Sequence, residues 1–137
     1  MKKLSGINIH AYSDNIKYHR YASIDDWWNP TEQKDKLLFK VVTADMGNMD
    51  YNFLVLLHAM IEQYLCYKHW VKDEVVMKWD KEHLDAEEPG ALPGCPYHKE
   101  HEFATNLEAQ MSVELKVSWD RYGEKIDEIV KQWHNKK

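Results

Sequence analysis

This chain of 137 residues has little of what marks specialised architectures. Its two cysteines, Cys66 and Cys95, make neither a disulfide framework nor a CxxC pair for zinc, so reduced thiols are expected. No run approaches the ~18 apolar residues that would span a bilayer, and the lysines of MKKLSGINIHAYSDN precede no apolar stretch. A cytoplasmic protein without a membrane partner is therefore expected. An excess of positive charge is also missing, since 18 Lys+Arg face 23 Asp+Glu, so no nucleic-acid partner is expected. With no internal repeat, low-complexity tract or linker, residues 1–137 read as a single domain.

Aromatic residues, by contrast, are plentiful, with six Trp and eight Tyr, and their first consequence is core volume. Before residue 45, the segments NIKYHRYASIDDWW and LLFKVVT carry the aromatic and β-branched residues that suit strands, and NPTEQKDK separates them at Pro30. A β-hairpin or small sheet is expected there, with Asp25, Asp26, Trp27 and Trp28 near its turn. After Gly47 the apolar spacing turns helical and predicts helices over 50–70, 73–85, 98–116 and 119–134. EEPGALPGCPY holds three of the four prolines and two of the five glycines, so it is a loop, and Ser118 suits the N-cap of the last helix, where Trp119, Tyr122, Ile126, Ile129, Val130 and Trp133 form one apolar stripe. The fold class is thus α+β and mainly helical, a four-helix C-terminal part with a small N-terminal β-hairpin or sheet.

Chemistry enters with the first helix, in NFLVLLHAMIEQYLCY. Helical geometry groups Phe53, Leu57, Met60 and Tyr64 as the expected core face and puts Asn52 and Gln63 on a solvent edge. His58 and Glu62 fall on neither, one turn apart, so an imidazole nitrogen and a carboxylate oxygen can converge on one ion. The plainer alternative is a His–Glu hydrogen bond on a half-exposed face. In the third helix Phe103, Ala104, Leu107, Met111 and Leu115 define a core side that His101 and Glu108 border, while Glu102, Asn106 and Gln110 point away. In the second, Asp80 sits beside an apolar stripe and needs a partner, because unpaired buried charge costs several kcal/mol. His83, Asp85 and His98 read as solvated helix ends.

His58, Glu62, Asp80 and His101 together make a mixed nitrogen and oxygen set suited to a divalent transition metal such as Zn or Mn. The predicted fold-back of the third helix brings His58 close to His101. The HExxH of zincins is absent, since Ala59 follows the histidine, and a general base would have to come from Glu62, Glu102 or Glu108.

The segments RYASIDDWW, LLFKVVTAD, NFLVLLHAMIEQYLC, KWDKEH, EPGA, PYHKEH and FATNLE resemble a family of small uncharacterised bacterial and phage proteins, over about residues 19–122. The resemblance implies that His58, Glu62, Asp80 and His101 occupy that family's motif positions, and it implies no substrate. The family pattern often reads His-Glu-x-x-Glu, whereas this chain has Ala59, so no protease-like role carries over. Two functions follow as expectations. One is a metal-dependent hydrolase acting on a small molecule, a phosphoester or nucleotide among the candidates, with Tyr18, Tyr21, Trp27 and Trp28 walling the pocket. The other is a non-enzymatic accessory or interaction protein whose polar residues form a structural network.

Overall fold

In the computed structural model, residues 4–15 and 23–135 are described, with side chains up to Trp133. Strands β1 (Gly6–Asp14), β2 (Asp25–Trp27), β3 (Thr31–Gln33) and β4 (Lys36–Ala44) precede helices α1 (Met49–Lys68), α2 (Asp73–Glu82), α3 (His98–Glu114) and α4 (Trp119–Asn135). A 3-10 turn, Pro89–Ala91, interrupts the Pro/Gly loop between α2 and α3. The α+β, mainly helical class therefore holds, with four helices and a small mixed sheet before them among the described residues. No described helix is long and apolar enough to cross a membrane.

The sheet is centred on β4. Its run Leu37-Leu38-Phe39-Lys40-Val41-Val42 is apolar on both sides, as suits a strand covered on both edges and packed against a helix. β1 pairs parallel along all of β4, which leaves the other edge for β2 and β3, both antiparallel. Gln33 pairs with Lys36, so the hairpin turn lies at Lys34-Asp35, where Lys34 takes φ 59°. Asp25, Asp26 and Trp27 were expected near that turn; they instead form β2, while Trp28 follows it where the strand breaks before Pro30. Break and helix are tied together, because Asn29 and Asp73 exchange backbone and side-chain hydrogen bonds at the start of α2.

α1 lies over the sheet and beside α3. Asn48 caps it by accepting from the Tyr51 N–H, and Trp70 ends it at φ 62° in a Schellman turn, with Val71 N–H on the Cys66 carbonyl. Ser118 Oγ accepts from the Arg121 N–H at the start of α4, the cap expected of it. The expected faces of α1 need correcting. Leu54, Val55, Ala59, Glu62, Gln63 and Cys66 are buried, whereas Phe53 and Tyr64 are exposed and Leu57 and Met60 half-buried. The helix is apolar almost all round, so periodicity alone gave its core side no unique direction. Phe103 of α3 is likewise exposed, while Ala104 and Glu108 are buried and Glu102, Asn106 and Gln110 face outward as expected.

Two apolar clusters flank α1. Trp27, Val41, Ala59, Cys66, Val76, Cys95 and Tyr97 fill one; Met46, Leu54, Val55 and Tyr122 form the other.

Candidate metal centre

The i,i+4 spacing of His58 and Glu62 does on α1 what helical geometry dictates, bringing His58 Nε2 to 3.1 Å from Glu62 Oε2. The loop before α3 lets that helix run back along α1, and His101 Nδ1 then reaches the same oxygen, also at 3.1 Å. The two imidazole rings meet edge to face, 4.8 Å between centroids, as the expected fold-back required. His58, Glu62 and His101 thus offer three ligand atoms within 4.8 Å of one another and could hold a metal ion. Nitrogen and carboxylate oxygen donors are the set that zinc and its neighbours accept.

Each ring is held from behind by a second carboxylate. Glu108 lies 2.8 Å from His58 Nδ1, and Tyr122 donates its hydroxyl to the other oxygen of Glu108. Glu88 Oε1 lies 3.5 Å from His101 Nε2. A carboxylate behind a ligating imidazole fixes its tautomer and raises its basicity, the arrangement that surrounds protein metal sites. The Pro/Gly loop also sets the ring itself, since a side chain at Gly90 would come within 2.5 Å of the His101 ring. His98 anchors the same loop by bonding the Gly90 carbonyl.

Electrostatics follow from this packing. Burial alone would lower the His58 pKa, but the bonds to Glu108 and Glu62 outweigh it and hold the ring well above the ordinary histidine value. His101 is opposed by burial in the same way and raised to about 9 by Glu62 and Glu88. Burial pushes Glu62 up, yet the two imidazoles prevail and hold it below the carboxylate range. Trp27 Nε1 completes its shell, donating to Oε1 at 3.2 Å.

A cavity of about 420 Å³ opens beside the trio, and Asp25, Asp80 and Glu108 share its wall with His58, Glu62 and His101. Asp80 does enter the same chamber, but it is not one of the three residues within reach of a common ion; Tyr97 donates its hydroxyl to it. Asp25 was read only as a turn residue. Burial first, then the neighbouring Glu62 carboxylate, raises it to about 7, which marks it as a group able to exchange a proton near neutrality. An acid set among Ile24, Trp27 and Trp28 was the sequence signal that could have found it. Glu108 was noticed as a residue bordering the core and as one of three candidate bases, not as the partner of His58, and Tyr122 only as part of an apolar stripe.

Other expectations resolve differently. Trp27 belongs to the core rather than the cavity wall, Trp28 does not line the cavity, and Tyr18 and Tyr21 lie outside the described residues. Glu102 is exposed and pairs with His98, which removes it as a base. His83 is not simply solvated; its ring stacks on Trp79 and bonds that residue's carbonyl. Asp85 is exposed, as a solvated helix end should be, and lines the cavity mouth. Both cysteines are free and buried, and burial raises both thiols, Cys95 to about 11, so they are inert.

No protein-family model, curated protein or solved structure matches this chain. The resemblance to small bacterial and phage proteins therefore rests on the quoted segments alone.

Proposed function

We propose that the protein is a metal-dependent hydrolase in which His58, Glu62 and His101 hold one divalent ion, Zn or Mn, at the floor of the cavity. The observation that carries this reading is the convergence of two histidines from different helices on one carboxylate oxygen, each backed by a further carboxylate, beside an open chamber. When bound, the ion would supply Lewis acidity. The chain's own groups supply the rest. Asp25 takes up a proton on the cavity wall, Glu108 and Glu88 keep the imidazoles oriented, and Tyr97 holds Asp80 on the same wall, outside the ligand trio.

Calorimetry on metal-stripped protein tests the centre. About one Zn²⁺ or Mn²⁺ per chain is expected, together with about 2.7 kcal/mol of added stability at a hundredfold excess over Kd. His58→Ala should lower the affinity at least a thousandfold, about 4 kcal/mol, whereas His10→Ala on the exposed face of β1 should leave it unchanged. No heat of binding and an unchanged Tm would reject the centre. Hydrolysis is then assayed on p-nitrophenyl esters and phosphoesters with metal-loaded protein.

A second reading, a non-enzymatic accessory protein with a structural polar network, has its own support. Glu62 already accepts from Trp27 and bonds both histidines, so the cluster is satisfied by side chains alone. Metal-stripped protein as stable as metal-treated protein would favour it.

A further inference from the structure

The walls of the cavity differ in chemistry from its floor. Ile24, Val55, Ile126 and Val130 give it one apolar side, built from β2's approach, α1 and α4. The end of α2 and the loop after it contribute a rim of Asp85, Glu87 and Glu88, all exposed to solvent, and α4 adds the half-buried Asp127 to the lining. Eight of the described lining residues are Asp or Glu, against one lysine, Lys131, and the two imidazoles His58 and His101, which hold protons near neutrality when no metal is bound. One divalent ion on the floor offsets only two of those charges. A low-dielectric cleft lined by one sign of charge concentrates ligands of the other sign and repels its own. A phosphoester or nucleotide would have to enter past those carboxylates with a single lysine in support, and no arginine is among the described lining residues.

We infer that the cavity takes a small organic cation, an amine or guanidine carried on an apolar body, with the charged end at the Asp85–Glu88 rim and Asp127 and the body against Ile24, Val55, Ile126 and Val130. The inference names the substrate class of the site proposed above and rests on that reading only for the reaction, since rim and apolar wall exist with or without a metal.

The test is a matched ligand series, n-hexylamine, n-hexanol, hexanoate and n-hexyl phosphate, titrated calorimetrically into metal-stripped and Zn²⁺-loaded protein, with zinc content read alongside. Hexylamine is expected to bind at least tenfold more tightly than hexyl phosphate or hexanoate in both forms, and the preference should weaken as salt is raised. The double substitution Glu87→Lys with Asp127→Lys, both lining the cavity and neither touching the metal trio, should cut that ratio at least tenfold while zinc content and Tm stay unchanged. Hexyl phosphate binding as tightly as hexylamine would overturn the inference, as would a ratio unmoved by the double substitution. A preference confined to zinc-loaded protein would overturn it too, because the amine would then be a ligand of the ion. Amine preference in a chain that binds no zinc would sink the metal centre and leave this assignment standing; zinc binding without amine preference would do the reverse.

Discussion

Glu62 and Gln63 are neighbours on α1, both buried, and they serve opposite ends. Gln63 points into the seam between helix and sheet, where its amide donates to the carbonyls of Trp28 and Lys40 at 2.9 and 3.0 Å. Both partners are backbone, so the contact fixes where α1 sits and leaves nothing free to react. The Asn29–Asp73 exchange at the start of α2 likewise ties side chains to backbone N–H groups. Glu62 points the other way, into a network made of side chains alone, next to a cavity that admits a ligand. Buried polarity spent on backbone holds a fold together; buried polarity shared among titratable side chains at an opening can do chemistry.

The largest effect on stability should come from breaking the structural side. Gln63→Leu keeps the volume but removes both donors from a buried seam, and it is expected to lower stability by about 2–4 kcal/mol in urea denaturation. Metal affinity measured on the folded fraction should not change. If it falls with stability, seam and chamber are one unit and the contrast drawn here fails.

On the chamber side, Glu108→Gln alters the group behind His58 without touching the trio. Metal affinity is expected to drop about 10- to 100-fold. A drop confined to stability, with affinity intact, would place Glu108 with Gln63 among the structural residues.

The chamber should also be the part that responds to pH. His58 and His101 are raised above their unfolded value near 6.5, so their contribution to the metal-free protein is complete below that pH and is lost as pH rises toward about 9. Glu62 is depressed, so its contribution is present above its unfolded value of 4.5 and lost as pH falls further. The two histidines should therefore cost the metal-free protein on the order of 1–2 kcal/mol between about pH 6.5 and 9. Metal affinity should run oppositely and climb over that range, as protons leave the imidazoles. Thermal melts across the range, with and without Zn²⁺, separate the two trends; parallel trends would mean the histidines do not bind the ion.

The smallest effect lies outside both regions. Trp70 is 90% exposed and sits at φ 62° at the end of α1, a conformation that costs a non-glycine residue energy. Trp70→Gly should raise Tm slightly, by the equivalent of about 0.5–1 kcal/mol, and leave metal binding alone.

Sequence by itself determined where the helices fall and that the sheet precedes residue 45, although β1, which lies outside the expected strand segments, was not among its signals. Ser118 with the Trp119–Trp133 stripe, the Pro/Gly loop and the switch from β-branched runs to helical spacing are local signals, and each marks its element within a few residues of where it is observed. It also determined the pair His58 and Glu62, because i,i+4 geometry is a property of any helix. Only the tertiary structure decided which side of α1 is inside, since a helix apolar nearly all round takes its direction from what packs on it. The same holds for Asp25, Glu88, Glu108, Tyr97 and Tyr122, which come from four different parts of the chain and meet His58 and His101 only when β2, α3, α4 and the loop close around α1. Spacing in sequence records neighbours along an element; a site assembled across elements exists only after the chain has packed.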